Sequence, residues 1–147
     1  MLGTLQYLGD VAQRCLRGQP LDEETARWLG RLLDDFLARG SSAFEEALGL
    51  MQGRGGVPWW LEFAIRRRDA ALRELARRFL SDMHLSAQAK SIRTLAIRYA
   101  ASTWHFDKDL HEVPAPYVGT PQEWLWYAFH SGARMPIGER QLRSVLL

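Results

Sequence analysis

DEETARWLGRLLDDFLARG, residues 22–40, decides the fold class. Ala26, Leu29, Leu33, Phe36 and Leu37 recur at three- and four-residue intervals, the period of an α-helix with one apolar face. Asp22 suits the N-cap, where a short carboxylate accepts a free backbone N–H, and Gly40 suits the C-terminal stop. The spacing therefore predicts a helix over 22–39. Upstream, residues 2–17 fit a first helix that Gly18 and Pro20 end. Downstream, Ser42-Ala43-Phe44-Glu45 has the spacing of a capping box and opens a short helix to about Leu50.

The same period continues to the C-terminus. MQGRGGVP, residues 51–58, is a loop by composition, and Pro58 fits the first position of a helix over 58–80. Its expected buried stripe is Ile65, Leu72, Leu75 and Phe79. Ser86 is the expected cap of a helix over 87–103, with Ile92, Leu95, Ala96 and Tyr99 inward. WHFDKDLHEVPAPYVG, residues 104–119, has no period and reads as a long loop. Thr120-Pro121-Gln122-Glu123 combines a capping box with proline at the first helical position, so a helix should run to about His130. Ser131-Gly132 ends it, and a short turn of Ala133-Arg134-Met135-Pro136 leads to a last helix over 137–146. No internal repeat and no long alternating apolar run is present, which excludes a sheet-based reading. The expected fold is all-α, a compact single-domain bundle of about six or seven helices over 1–147. It comprises acidic helices in 1–50, basic helices in 58–103 and a C-terminal helical hairpin in 120–147.

Composition bounds the function. The 147 residues are 47% apolar, with six Trp and six Phe, so core material is plentiful and intrinsic disorder is excluded. No stretch approaches the ~20 apolar residues of a membrane helix, and MLGTLQYLGDVAQR lacks the basic start of a signal peptide, so a cytoplasmic protein is expected. A single cysteine, Cys15, excludes an internal disulfide and a cysteine-based zinc site. Net charge is +2 but uneven: residues 1–53 carry five Arg against eight acids, and residues 54–98 carry ten Arg or Lys against four. The middle third can therefore attract phosphate.

The C-terminal hairpin reads as helix, turn, helix. Its second helix offers Glu139, Arg140, Gln141, Arg143 and Ser144 as polar residues, while Ile137, Leu142, Val145 and Leu146 are its expected attachment to the body. Arg and Gln are the residue types that pair bidentately with guanine and adenine. Residues 120–146 resemble the helix-turn-helix DNA-binding proteins of bacteria and phages: Ala128 and Gly132 stand four apart, as in the common form of the motif. Beyond Gly132 the register departs, since the usual apolar positions fall on Gly138 and Gln141 and the turn is longer. The resemblance implies double-stranded DNA as partner. Arg140, Gln141, Arg143 and Ser144 would read bases, and Arg134 would be among the phosphate contacts.

In the central segment Glu62–Arg66, Asp69–Arg73 and Glu74–Arg78 are acid-before-base pairs at i,i+4, the order that favours surface ion pairs. Arg67, Arg68 and Arg77, and Lys90, Arg93 and Arg98 on the next helix, lack an acid four residues before them. These six cations are the candidate phosphate contacts, or equally the contacts to an acidic protein surface; a solvated face is the ordinary fate of such a run.

The remaining constellations are weaker. His105, Asp107, Asp109 and His111 are four potential metal ligands in a spacing that matches no known site. His84 and His130 are isolated, and Cys15 reads as a small buried side chain. Gly53-Arg54-Gly55-Gly56 has no Lys-Ser/Thr after it and is no phosphate loop. Trp59 and Trp60 are adjacent, so both cannot face one core. No catalytic apparatus, cofactor motif or metal motif is expected. The leading expectation is a DNA-binding regulator or accessory factor. The alternative is a non-enzymatic protein-binding module, such as a phage-encoded inhibitor docking on a host complex.

Overall fold

The computed structural model of the chain describes residues 2–39, 46, 48–50 and 55–147. Every regular element among them is helical. The elements are α1 (Leu2–Leu16), α2 (Glu23–Arg39), α3 (Trp59–Phe79), α4 (Leu85–Ser102), α5 (Trp104–Asp107), a 3-10 turn (Ala115–Tyr117), α6 (Pro121–His130) and α7 (Glu139–Leu146). The all-α expectation holds, with seven α-helices among the described residues. No described helix is long and apolar enough to cross a membrane. The Gly40 stop, the Ser42–Glu45 capping box, the side chains of Phe36 and Leu37 and most of the Gly53–Gly56 turn lie outside the described residues. The chain divides into two compact units, Met1–Trp59 and Trp60–Leu147.

In the first unit Gly18 closes α1 at φ +64, where a side chain would be strained. Asp22 starts α2 as expected: its carboxylate accepts from the Thr25 N–H at 2.9 Å and the Thr25 hydroxyl at 2.7 Å. These bonds, the backbone one foremost, hold the Asp22 carboxyl below its ordinary range. Thr25 donates to Asp22, so its oxygen accepts from the Tyr7 hydroxyl, and Tyr7 meets Trp28 edge-on at 4.9 Å. With its hydroxyl satisfied, Thr25 is buried, together with Leu32, Leu5 and Val11. The buried face of α2 is therefore turned by one residue from the expected stripe. Leu33 is 44% exposed and Ala26 is exposed, where the large apolar residues alone point to burial.

In the second unit one core joins α3, α4, α6 and α7. It contains Ala71, Leu72, Leu75 and Ala76 of α3, and Ala89, Ile92, Ala96 and Tyr99 of α4. Leu125 and Ala128 come from α6, and Leu142 and Val145 from α7. α7 packs chiefly on α4, whose buried side carries the small residues Ala89 and Ala96. Leu72, Leu75, Ile92, Ala96 and Tyr99 are buried as expected, and the expected stripes are corrected only at their edges. Phe79 is exposed, Ile65 and Leu95 are half-buried, and Ala64, Ala71 and Ala76 take the inner positions.

His84, not Ser86, caps α4: its Nδ1 accepts from the Ala87 N–H at 3.0 Å, and the helix begins at Leu85. The Gln88 side chain donates to the carbonyls of Leu80 and Met83, which fastens the α3–α4 corner. Residues 104–119 are also not a plain loop. They contain α5 and the 3-10 turn, ordered around Asp107. Asp107 is buried, and its Oδ2 accepts from the hydroxyls of Tyr99 at 2.7 Å and Tyr117 at 2.9 Å. The Asp107 carbonyl also accepts from His130 Nε2, which must therefore carry the ring proton. Burial first, and then the Asp107 carboxylate, push both phenols above their ordinary range.

Candidate functional site

Both C-terminal helices form, with two differences from their expected bounds, but α7 packs chiefly on α4 and hardly on α6, so the expected hairpin is not a packed pair. Neither half of the expected capping box is made: the Glu123 carboxylate accepts at 2.7 Å from the N–H of Gly119, one residue before the cap, and the Thr120 hydroxyl donates back to the Tyr117 carbonyl. α7 begins at Glu139 rather than 137, so the connection runs over residues 131–138 and is not a tight turn. Gly132, at φ +85, supplies the left-handed residue that ends α6. α7 spans only about 12 Å at 1.5 Å per residue. Leu142 is fully buried and Val145 nearly so, whereas Ile137 is 59% exposed and does not join the attachment.

The burial of Leu142 and Val145 fixes which face α7 turns outward. Arg140, Gln141, Arg143 and Ser144 are all exposed. Arg140, Arg143 and Ser144, at i, i+3 and i+4, share the face opposite Leu142 and Val145. Gln141 lies to one side. Its amide folds back over Gly138, and it lines a shallow groove with Arg68, Arg134, Met135 and Ile137.

The central cations are distributed differently from the sequence pairing. Glu62–Arg66 and Glu74–Arg78 form as expected, each at 2.6 Å. The Asp69–Arg73 pair does not form. Asp69 is taken by Arg68, whose Nε and Nη2 both bond its Oδ1, and Arg68 Nη1 also donates to the Arg134 carbonyl at 2.6 Å. Arg68 is thus neither unpaired nor accessible; its side chain is 13% exposed. Arg77 is likewise paired, holding both oxygens of Glu74 at 2.6 and 2.9 Å. Hydrogen bonds from Arg77 and then Arg78 lower the Glu74 carboxyl to about 2. The Arg67 guanidinium lies over the Phe63 ring, and that of Arg78 lies over Trp124.

Freed from Asp69, Arg73 donates from Nε to the Val145 carbonyl at 2.7 Å. Arg93 donates from Nε to the Ile137 carbonyl at 2.9 Å. Together with Arg68, two helices thus fasten residues 134–145 by their carbonyls, ahead of α7 and in its last turn. A charged donor to a carbonyl contributes about 1.5 kcal/mol or more where water is excluded, less at these partly open sites. Arg73 and Arg93 use only Nε, so the outer edges of their guanidinium groups are unpartnered among the described residues. The side chains of Lys90, Arg98, Arg134, Arg140 and Arg143 also have no partner among the described residues. Arg98 borders a groove with Tyr99, Tyr117 and Leu125.

Arg73 is the residue sequence reasoning missed. Its partner is 72 positions away, and the local acid at i−4 gives the opposite signal. The four potential metal ligands of residues 105–111 do not converge, because Asp107 turns inward to two phenols. Among the described residues no three His, Cys, Asp or Glu side chains gather. Cys15 is exposed, not a buried apolar side chain. Compared with known protein families, with curated proteins and with solved structures, the chain finds no match in any of the three.

Proposed function

We propose that this chain binds double-stranded DNA, as a small regulator or accessory factor of bacterial or phage type, with α7 lying in the major groove. The observation that carries the reading is α7 itself. It is anchored by Leu142 and Val145, held at its Val145 carbonyl by Arg73 and at the Ile137 carbonyl just ahead of it by Arg93, and turns Arg140, Arg143 and Ser144 outward without partners among the described residues. Buried apolar side chains on one face and polar base-readers on the other are what a groove-reading helix requires. Lys90, Arg93, Arg98 and Arg134 are the phosphate contacts in this reading, joined by Arg73. Arg67 is held over Phe63, and Arg68 and Arg77 are engaged with carboxylates, so these three contribute less.

The test is a fluorescence-anisotropy titration of a labelled random duplex at low and high salt. Affinity should fall with salt at a slope near −0.9 per phosphate neutralised, when both quantities are plotted as logarithms. No binding at low salt would remove the reading.

A second reading is docking on an acidic protein surface. The groove around Met135, Pro136 and exposed Ile137, edged by Arg134, favours it, since a mixed apolar and arginine surface is typical of protein interfaces. It forecasts absent or feeble duplex binding in the same titration.

A further inference from the structure

A helix of two turns reads bases only if its rotation about its own axis is fixed. α7 meets that condition. Arg68 holds the Arg134 carbonyl and Arg93 the Ile137 carbonyl ahead of the helix, and Arg73 holds the Val145 carbonyl in its last turn. Leu142 and Val145 fill the core between these points. The outward direction of Arg140 and Arg143 is thereby set from both α3 and α4.

The two guanidinium groups start three residues apart. That is about 4.5 Å along the axis and about 60° around it. Successive base pairs are about 3.4 Å apart. One fork fills both acceptors of a guanine, so two long side chains rooted this close together read neighbouring or next-but-one base pairs, not the same one. Neither arginine has a partner among the described residues. Glu139 stands four residues before Arg143 in the favourable order, yet no ion pair joins them. On α3, by contrast, Arg66, Arg68, Arg77 and Arg78 all hold carboxylates. A free planar fork matches the O6 and N7 acceptors of guanine in the major groove, and no other base edge offers it two acceptors.

We infer that the DNA target carries two guanines in adjacent or next-but-one base pairs, one read by Arg140 and the other by Arg143. The inference rests on the DNA-binding reading. Its test begins with selection of preferred duplexes from a random pool. Single replacements by 7-deazaguanine, which keeps base pairing but lacks the N7 acceptor, are then made in the selected duplex. Selected sequences should share the guanine pair, and replacing either guanine should weaken binding by roughly five- to a hundredfold. In Arg140→Ala one replacement should lose its effect, and in Arg143→Ala the other should. Circular dichroism of both variants checks that the helices are retained, which their exposed positions favour. Salt-dependent duplex binding with no guanine pair among the selected sequences overturns the inference and leaves DNA binding standing. So does a 7-deazaguanine effect that survives in both variants. Absence of duplex binding at low salt removes both.

Discussion

Replacing Asp107 by alanine should cost the protein about 3–4 kcal/mol of stability. The figure follows from what the side chain touches. Its Oδ2 accepts from two phenols, Tyr99 at 2.7 Å and Tyr117 at 2.9 Å. A hydrogen bond to a charged acceptor contributes about 1.5–3 kcal/mol net. Tyr99 is 3% exposed, so its hydroxyl finds no water when the carboxylate is gone, and the upper part of that range applies. Tyr117 is half-buried and can rehydrate, so about 1 kcal/mol applies to it. The assay is urea unfolding followed by helical circular dichroism, on the wild type and on Asp107→Ala, Tyr99→Phe and Tyr117→Phe. Tyr117→Phe should lose about 1 kcal/mol and Tyr99→Phe about 2. The double variant of Asp107→Ala with Tyr99→Phe should lose less than the sum, because both remove one bond. A loss below about 1 kcal/mol for Asp107→Ala, within the range of surface substitutions plus error, would refute the claim that this carboxylate orders residues 104–119.

Leu72→Ala should cost about 2–5 kcal/mol, since Leu72 is fully buried, whereas Phe79→Ala should cost clearly less, because Phe79 is 37% exposed; denaturant midpoints of the two variants decide the order. Stability should fall on the alkaline side. The Tyr99 phenol is raised above its ordinary 10, so its contribution is complete below about pH 10 and is lost as pH rises, because the unfolded chain ionises first; unfolding midpoints at about pH 8 and pH 11 check the sign, and an unchanged midpoint would contradict it. Arg77→Ala should leave the salt slope of duplex binding almost unchanged, because Glu74 already neutralises it, while Lys90→Ala and Arg98→Ala should each flatten the slope by up to about 0.9; equal effects of all three would show that the Glu74 chelate opens on binding.

The candidate site shows how a charge pattern misleads when it is read along one helix. Spacing alone pairs Asp69 with Arg73 and leaves Arg68 and Arg77 free. In three dimensions Arg68 and Arg77 are occupied, and Arg73 reaches the Val145 carbonyl. Exposed ion pairs at i,i+4 are weak, so a carbonyl presented by another helix competes easily with a local carboxylate. Cations that suit phosphate binding by composition therefore divide into those that fasten the C-terminal segment, those held on their own helix such as Arg77, and those left outward.

What the sequence by itself determined is the helical class and the approximate extent of each long helix. Those follow from a period of 3.6 and from Asp22, Gly18, Gly132 and the Thr120-Pro121 start, all of which act within a few residues. It also determined that Leu142 and Val145 face inward and Arg140 and Arg143 outward, since a two-turn helix has one apolar side. The period also placed Leu72 and Leu75 of α3 in the core; tertiary structure alone decided the buried face of α2 and the edges of that of α3. Alanine carries little hydropathy signal, so nothing local showed that Ala71 and Ala76 lie inward and Phe79 outside. It alone made an ordered segment of residues 104–119, because the organising contact is a buried carboxylate meeting phenols from α4 and from the 3-10 turn. It alone pinned α7 through Arg68, Arg73 and Arg93, whose acceptors lie 66, 72 and 44 positions away. Local spacing carries no trace of a bond over such distances, because the chain between the partners must fold before donor and acceptor can meet.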